Sequence, residues 1–318
     1  MIITGVHNDV LEPLGIKRGL EIVKIDGIDV HEYVSTNIKP FVASSTEQGT
    51  NLIAYSREAV MGKTESIQLT FKDDNNRVFE RTLSRPIWED NPPPRTPLFD
   101  FSVLDGNIGV LKIKDFWEEN FTAQFDSIYK KIIATDAIII DIRGNGGGNT
   151  VNSEYVLSHL TDENYRMSNL SSPRYIPAFA SWSIPMEWYT NEDWSGQPVK
   201  DKLIYNKPVT VLIDEGTFSA AENFCIGFRN MSRGLIIGTP SGGSTGNPIM
   251  FPLPGGGGIR ICTLKDTYPD GTEWVGVGIL PDIEVRETVS SFLSNMGTGI
   301  DNSNAKLKAI EVLKNSIK

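Results

Sequence analysis

Nowhere does this chain reach the run of about 18 apolar residues that a membrane-spanning helix needs. Its opening, MIITGVHNDV, has neither the basic start nor the apolar centre of a secretory leader. The chain as it stands reads as soluble, with no membrane insertion; a leader removed earlier would leave no mark on it. Cysteine is scarce. Cys225 and Cys262 lack C-x-x-C spacing and both lie in apolar surroundings, which argues against a thiolate metal site or a disulfide and predicts two buried free thiols. Basic charge is in deficit: 30 Lys and Arg against 40 Asp and Glu give a net charge of -10, which repels nucleic-acid phosphates and anionic lipid headgroups. Nucleic acid is therefore not an expected partner. No glycine cluster has the G-x-G-x-x-G form opening a helix or the G-K-[ST] of a P-loop, and neither a cofactor nor a metal is expected. Histidine occurs only at His7, His31 and His159.

With 39% hydrophobic and 22% charged residues, 318 residues can bury the cores of two domains. The first region is β-rich. IITGV and EIVKIDGIDV are strand-like, LGIKRG between them is a turn or short helix, and IQLTF and VFERTLS form a hairpin around DDNN. Gly15–Gly19 (GIKRG) followed by Glu21–Gly27 (EIVKIDG) resembles a PDZ domain, with Leu20 in place of the usual Asp. In PDZ domains the loop that grips a peptide carboxylate precedes this strand, and almost nothing precedes Ile2 here. The stretch Phe41–Met61 is an insertion with a plausible helix. In PIWEDNPPPRTP three consecutive prolines favour an extended linker. The expected division is a PDZ-like domain at 1–88, a linker at 89–97 and an α/β domain at 98–318.

Beyond the linker, NIGVLKIKDF, AIIIDIRG, PVTVLID, LIIGT and IRICTL read as strands. NFTAQFDSIYKKII, VNSEYVLSHL and AENFCIGFRN read as helices between them. That alternation predicts an α/β core with a largely parallel sheet. Tyr175–Trp194 holds six aromatic residues without either period and is expected to be a lid over a cleft or a packed insertion. The tail AKLKAIEVLKNSI predicts an amphipathic helix with Leu307, Ile310, Leu313 and Ile317 on one face.

Two stretches at strand ends carry the chemistry. In DIRGNGGGN (Asp141–Asn149) adjacent glycines let the backbone approach a ligand and turn its amides inward. In GTFSAAEN (Gly216–Asn223) a serine stands between a strand and a helix, where the Ala220 amide points out of the helix N-terminus toward negative charge. A serine in that place is ordinarily an N-cap, and Glu222 three residues on fits a capping box. The nearby glycine loop favours a nucleophile instead, because it can supply the second donor of an oxyanion hole.

These stretches, with IGTPSGG (Ile237–Gly243), PDG (Pro269–Gly271) and GVGILPDIEV (Gly276–Val285), resemble the C-terminal processing peptidases, the serine peptidases related to tail-specific protease, tricorn and the interphotoreceptor retinoid-binding protein modules. The resemblance implies a crotonase-like or ClpP-like layered β-α core behind a PDZ-like domain. It implies Ser219 as nucleophile, amides of Ala220 and Gly146 or Gly147 as oxyanion donors, and an extended peptide or protein substrate. It also implies a periplasmic or cell-envelope location. A catalytically weak relative that binds a peptide or apolar ligand in the same cleft is the alternative.

The base is the open question. All three histidines precede Ser219, which excludes the order of an α/β-hydrolase. His159 lies about eleven residues into a helix, roughly 16 Å along it, too far to reach a site at the helix start. His7 and His31 read as surface or turn residues. Where processing peptidases carry a lysine, this chain has Ser244. Where tricorn-type members carry a histidine, aligning Gly109–Asp115 (GVLKIKD) puts Lys112, and their glutamate falls at Val275, two residues from Glu273. Lys112 could serve if burial lowered its pKa, although a lysine on an alternating strand ordinarily faces solvent.

Overall fold

The computed structural model describes residues 1–6, 11–62, 64–85, 96–294 and 301–317. The chain divides into two compact units, Met1–Thr96 with Thr288–Asp301, and Pro97–Glu287 with Asn302–Lys318. In the first, β1 (Glu21–Ile25), β2 (Ile28–Asp29), α1 (Val30–Asn37), α2 (Glu47–Ala54), β3 (Ser66–Lys72) and β4 (Val78–Ser84) form an antiparallel sheet of order β2-β1-β3-β4 with helices beside it. The DDNN turn closes the β3–β4 hairpin through Asp73, whose carboxylate accepts from Asn75 N–H and Arg77 N–H. The insertion does contain a helix, α2, capped by the Thr46 hydroxyl. Ile25, Val34, Ala54 and Phe71 are fully buried at its centre. IITGV forms no strand, only an isolated bridge between Ile2 and Glu21. His31 is on the surface, with Nδ1 2.9 Å from Tyr55 OH. His7 and most of the proline-rich linker lie outside the described residues.

The second unit is built on β5 (Phe99–Leu104), β6 (Ile108–Ile113), α3 (Phe121–Ile133), β7 (Ala137–Asp141), α4 (Thr150–Leu157), β8 (Tyr165–Arg166), β9 (Asn169–Arg174), α5 (Pro177–Ser181), β10 (Glu187–Asn191), β11 (Ser195–Gly196), β12 (Val209–Ile213), α6 (Ala220–Asn230), β13 (Gly234–Gly238), β14 (Ile249–Pro252), β15 (Gly258–Ile261), β16 (Lys265–Thr267) and β17 (Ile283–Glu284). After these come α7 (Val289–Ser294), which clusters with the first unit, and α8 (Asn304–Ser316). Six strands make the central sheet in the order β17-β13-β12-β7-β6-β5. All its pairings are parallel except β5 with β6, as expected when helices cover both faces.

Strand alternation gives the sheet two distinct faces. Leu111, Ile113, Ile138, Ile140, Val211 and Ile213 join the cluster that contains Phe121, Phe125, Phe224 and Phe228 from α3 and α6. Ile108, Val110, Ile139, Leu212 and Ile237 pack with Ala305, Ala309 and Leu313 of α8. The tail helix therefore forms, with Leu313 and Ile310 packed as expected but Leu307 and Ile317 exposed; Ala305 and Ala309 complete the stripe and let α8 lie close to the sheet.

Two further expectations change. The IRICTL segment is not part of the central sheet; it pairs with β14 as a separate hairpin, and its Cys262 is exposed while Cys225 is buried. Tyr175–Trp194 is not a packed insertion. It supplies α5 at the tip and strand β10 of the β9–β10 hairpin, in a sheet of order β10-β9-β16, and leaves Tyr175, Trp182, Trp188 and Tyr189 exposed.

Candidate active site

Strand β12 ends at Ile213, and the turn that follows is bound to the loop after β7 through Asp214, Thr217 and Phe218. The Asp214 carboxylate accepts from Gly144 N–H at 2.7 Å and Gly216 N–H at 2.9 Å, and burial raises its pKa. Thr217 Oγ1 donates to the Ile142 carbonyl at 3.0 Å, and Phe218 N–H donates to the Asn145 carbonyl at 2.9 Å. Ser219 follows with φ 55° and ψ −121°. Positive φ in a non-glycine residue costs of order 1–3 kcal/mol and persists only where surrounding bonds impose it. Those bonds come from Glu222: its N–H donates to the Ser219 carbonyl at 2.7 Å and its carboxylate accepts from Ser219 N–H at 2.9 Å, so Ser219 is the N-cap of α6 and shares a capping box with Glu222.

The glycine loop lies directly against this turn. A Cβ at Gly147, whose φ is +92°, would stand 2.7 Å from Ser219 Cβ and 3.0 Å from Ala220 N. Any larger residue would push the loop off Ser219. Ala220 N–H is the first of α6 and has no partner within the helix. Of the two candidate glycines, Gly147 donates its N–H to Asn145 Oδ1 at 2.9 Å, whereas Gly146 is exposed and its N–H has no partner among the described residues. Asn145 is itself fixed, donating from Nδ2 to the Ile113 carbonyl at 3.1 Å.

Glu222 is the residue whose weight the sequence understates. It is fully buried, and its carboxylate accepts from Ser219 N–H (2.9 Å), Ser241 Oγ (2.6 Å), Gly243 N–H (2.6 Å), Ser244 N–H (3.2 Å) and Thr245 Oγ1 (2.9 Å). The expected capping box is made, and the carboxylate's remaining donors bind the turn to the 241–245 loop. Burial pushes its pKa up to about 7 against these donors. At the next residue of α6, Asn223 donates to Asp266 Oδ2 at 2.9 Å and to Ser168 Oγ at 3.1 Å, which anchors β16 to this helix.

The model of the family described as Peptidase family S41 matches residues 107–285, more than half of the chain. The chain belongs to peptidase family S41. A carboxy-terminal-processing protease of Bartonella bacilliformis is 30% identical over 190 residues, covering 58% of this chain and 40% of that protein. The carboxy-terminal processing protease CtpA of Bacillus subtilis is 25% identical over 290 residues, covering 90% and 53%. The chain thus spans about half the length of these relatives or less. Among solved structures, mature CPAF complexed with lactacystin superimposes with a TM-score of 0.72 at 16% identity, over 95% of this chain and 78% of that one, which establishes a shared fold.

The S41 motifs converge in space. Ser219, Ala220, Gly147 and, through the Glu222 carboxylate, Ser244 come together at the carboxyl ends of β7 and β12. Lys112 does not join them. It alternates with Leu111 and Ile113, which pack on the α6 side, so its exposed side chain leaves β6 on the face covered by α8. Its strand neighbours are Asp100 and Asp141. Glu273 is exposed and paired with Lys265 at 2.5 Å. His159 lies beyond α4, buried among Phe125, Tyr129 and Tyr155. Face assignment was beyond the sequence, but the Ser219–Glu222 spacing was a usable signal for Glu222.

Proposed function

We propose that this S41 chain is a serine peptidase that cleaves extended polypeptides through an acyl-enzyme at Ser219. The carrying observation is the positive-φ Ser219 at the N-terminus of α6 with Gly147 pressed against it, an arrangement that sets a half-buried hydroxyl beside amides able to hold an oxyanion. In this reading Ala220 N–H is one donor, and the glycine loop supplies the other, from Gly146, or from Gly147 once Asn145 releases it. Glu222 holds both sides of the site in register. The proton acceptor is unassigned. With Lys112 on the α8 face, the remaining routes run through the Ser244 hydroxyl or solvent, and turnover is expected to be slow. The same observation supports the second reading, a weakly active relative that captures a peptide in this cleft. The four-stranded first unit fits a PDZ-like module, the second a crotonase-like or ClpP-like core, and the names of the relatives fit a substrate presented as a protein C-terminus outside the cytoplasm. A fluorophosphonate is expected to label Ser219, and Ser219→Ala to abolish labelling with an unchanged circular dichroism spectrum. Labelling that survives Ser219→Ala would overturn the nucleophile assignment.

A further inference from the structure

The loop Phe116–Glu118 is bound to the glycine loop by its main chain. Phe116 N–H donates to the Gly147 carbonyl at 2.8 Å, and Asn149 N–H donates to the Phe116 carbonyl at 2.9 Å. Asn152 Nδ2, on the first turn of α4, donates to the Phe116 and Glu118 carbonyls at 2.9 and 3.2 Å. Trp117 N–H is held by Asp115 Oδ1 at 3.0 Å. The packing is tight enough that a Cβ at Gly148 would stand 2.6 Å from Trp117 N, while one at the adjacent Gly147 would stand 2.7 Å from Ser219 Cβ.

This rigid backbone displays an indole in water. Trp117 is 71% exposed, and Val151, on the α4 turn that Asn152 clamps to the same loop, is 64% exposed. A scattered exposed apolar residue needs no explanation. Both of these stand on one hydrogen-bonded substructure, next to the loop that packs against Ser219. Indole rings are the side chains most often used as rigid anchors in recognition.

We infer that Trp117 and Val151 form a specificity subsite that receives a large apolar side chain of the peptide, adjacent to the residue held at Ser219. The inference rests on the peptidase reading for its substrate, but its test does not need turnover. The experiment uses the full chain carrying Ser219→Ala and two fluorescein-labelled decapeptides, one of alternating leucine and serine and one of alternating alanine and serine, with affinity read by fluorescence anisotropy. The leucine peptide is expected to bind more tightly, and Trp117→Ala to weaken it by about tenfold, the discrimination typical of an apolar pocket, while the alanine peptide changes less than about twofold. Trp117→Phe should restore most of the affinity, which a folding defect would not allow, and Val151→Lys should repeat the loss. Equal weakening of both peptides, or none, overturns the subsite. Should the leucine preference depend on Trp117 in a chain whose native Ser219 never reacts with fluorophosphonate, the subsite stands and the peptidase reading falls.

Discussion

At Glu222 five donors surround one fully buried carboxylate, and its behaviour tests how the site is held. Its folded pKa, about 7, lies above the ordinary 4.5, so its contribution to stability is fully present below pH 4.5 and is lost as pH rises through 7. Glu222→Gln keeps the shape but turns an amide N–H₂ toward donors. It is expected to cost about 1–3 kcal/mol, the penalty for a buried donor left unpaired, and to remove that pH dependence in chemical denaturation. It should also slow fluorophosphonate labelling of Ser219, because the Ser219 and Ser244 amides lose their shared acceptor. An unaltered labelling rate would mean that the turn holds its strain without Glu222. Lys112→Met is a second test at this scale. With the side chain on the α8 face, labelling rate and pH profile are expected to stay as in the native chain, and a collapse of either would return the lysine to the site.

Among the elements, the α3–α4 pair shows what burial does to a histidine. His159 Nδ1–H donates to the Tyr155 carbonyl at 2.7 Å, and its buried Nε2 has no partner among the described residues. Burial holds its pKa below the ordinary 6.5, so the folded chain binds fewer protons than the unfolded one. Its stabilising effect is present above pH 6.5 and is lost as pH falls below that value. His159→Phe, filling the same aromatic pocket, is expected to flatten the acid limb of a pH–Tm curve; a limb of unchanged steepness would assign it to other groups. The β9–β10 hairpin presents the opposite case, with Trp182 and Trp188 in solvent and its root bound to α6 through Ser168, Asn223 and Asp266. We expect Trp188→Ser to leave Tm within about 1 °C, as exposed positions do. It should also abolish any tryptophan fluorescence change on peptide binding if the hairpin is a lid.

Across the whole molecule, the two units have separate apolar cores, one around Ile25 and Phe71 and one around Phe224 and Phe228. Truncating a fully buried side chain costs about 2–5 kcal/mol in the cooperative unit that contains it. Ile25→Ala is therefore expected to lower one calorimetric transition and leave the labelling of Ser219 intact, whereas Phe224→Ala, on the helix that Ser219 opens, lowers the other and the labelling with it. Much of this was legible in the sequence. The apolar runs AIIID and VTVLI read as buried strands, the glycines at 146–148 allowed the close approach seen at Gly147 and Gly148, and a serine between strand and helix stood beside an unpaired amide, because each follows from neighbours along the chain. Other features were decided by the tertiary structure. Lys112 was placed on the α8 side by the strands that flank it, and Cys262 in solvent by a hairpin that left the sheet. Glu222 became the centre of the site only when the 241–245 loop folded back to supply amides and hydroxyls from four of its residues. A side chain's face, and the donors it meets, depend on what packs against it from distant parts of the chain, and no local pattern encodes that.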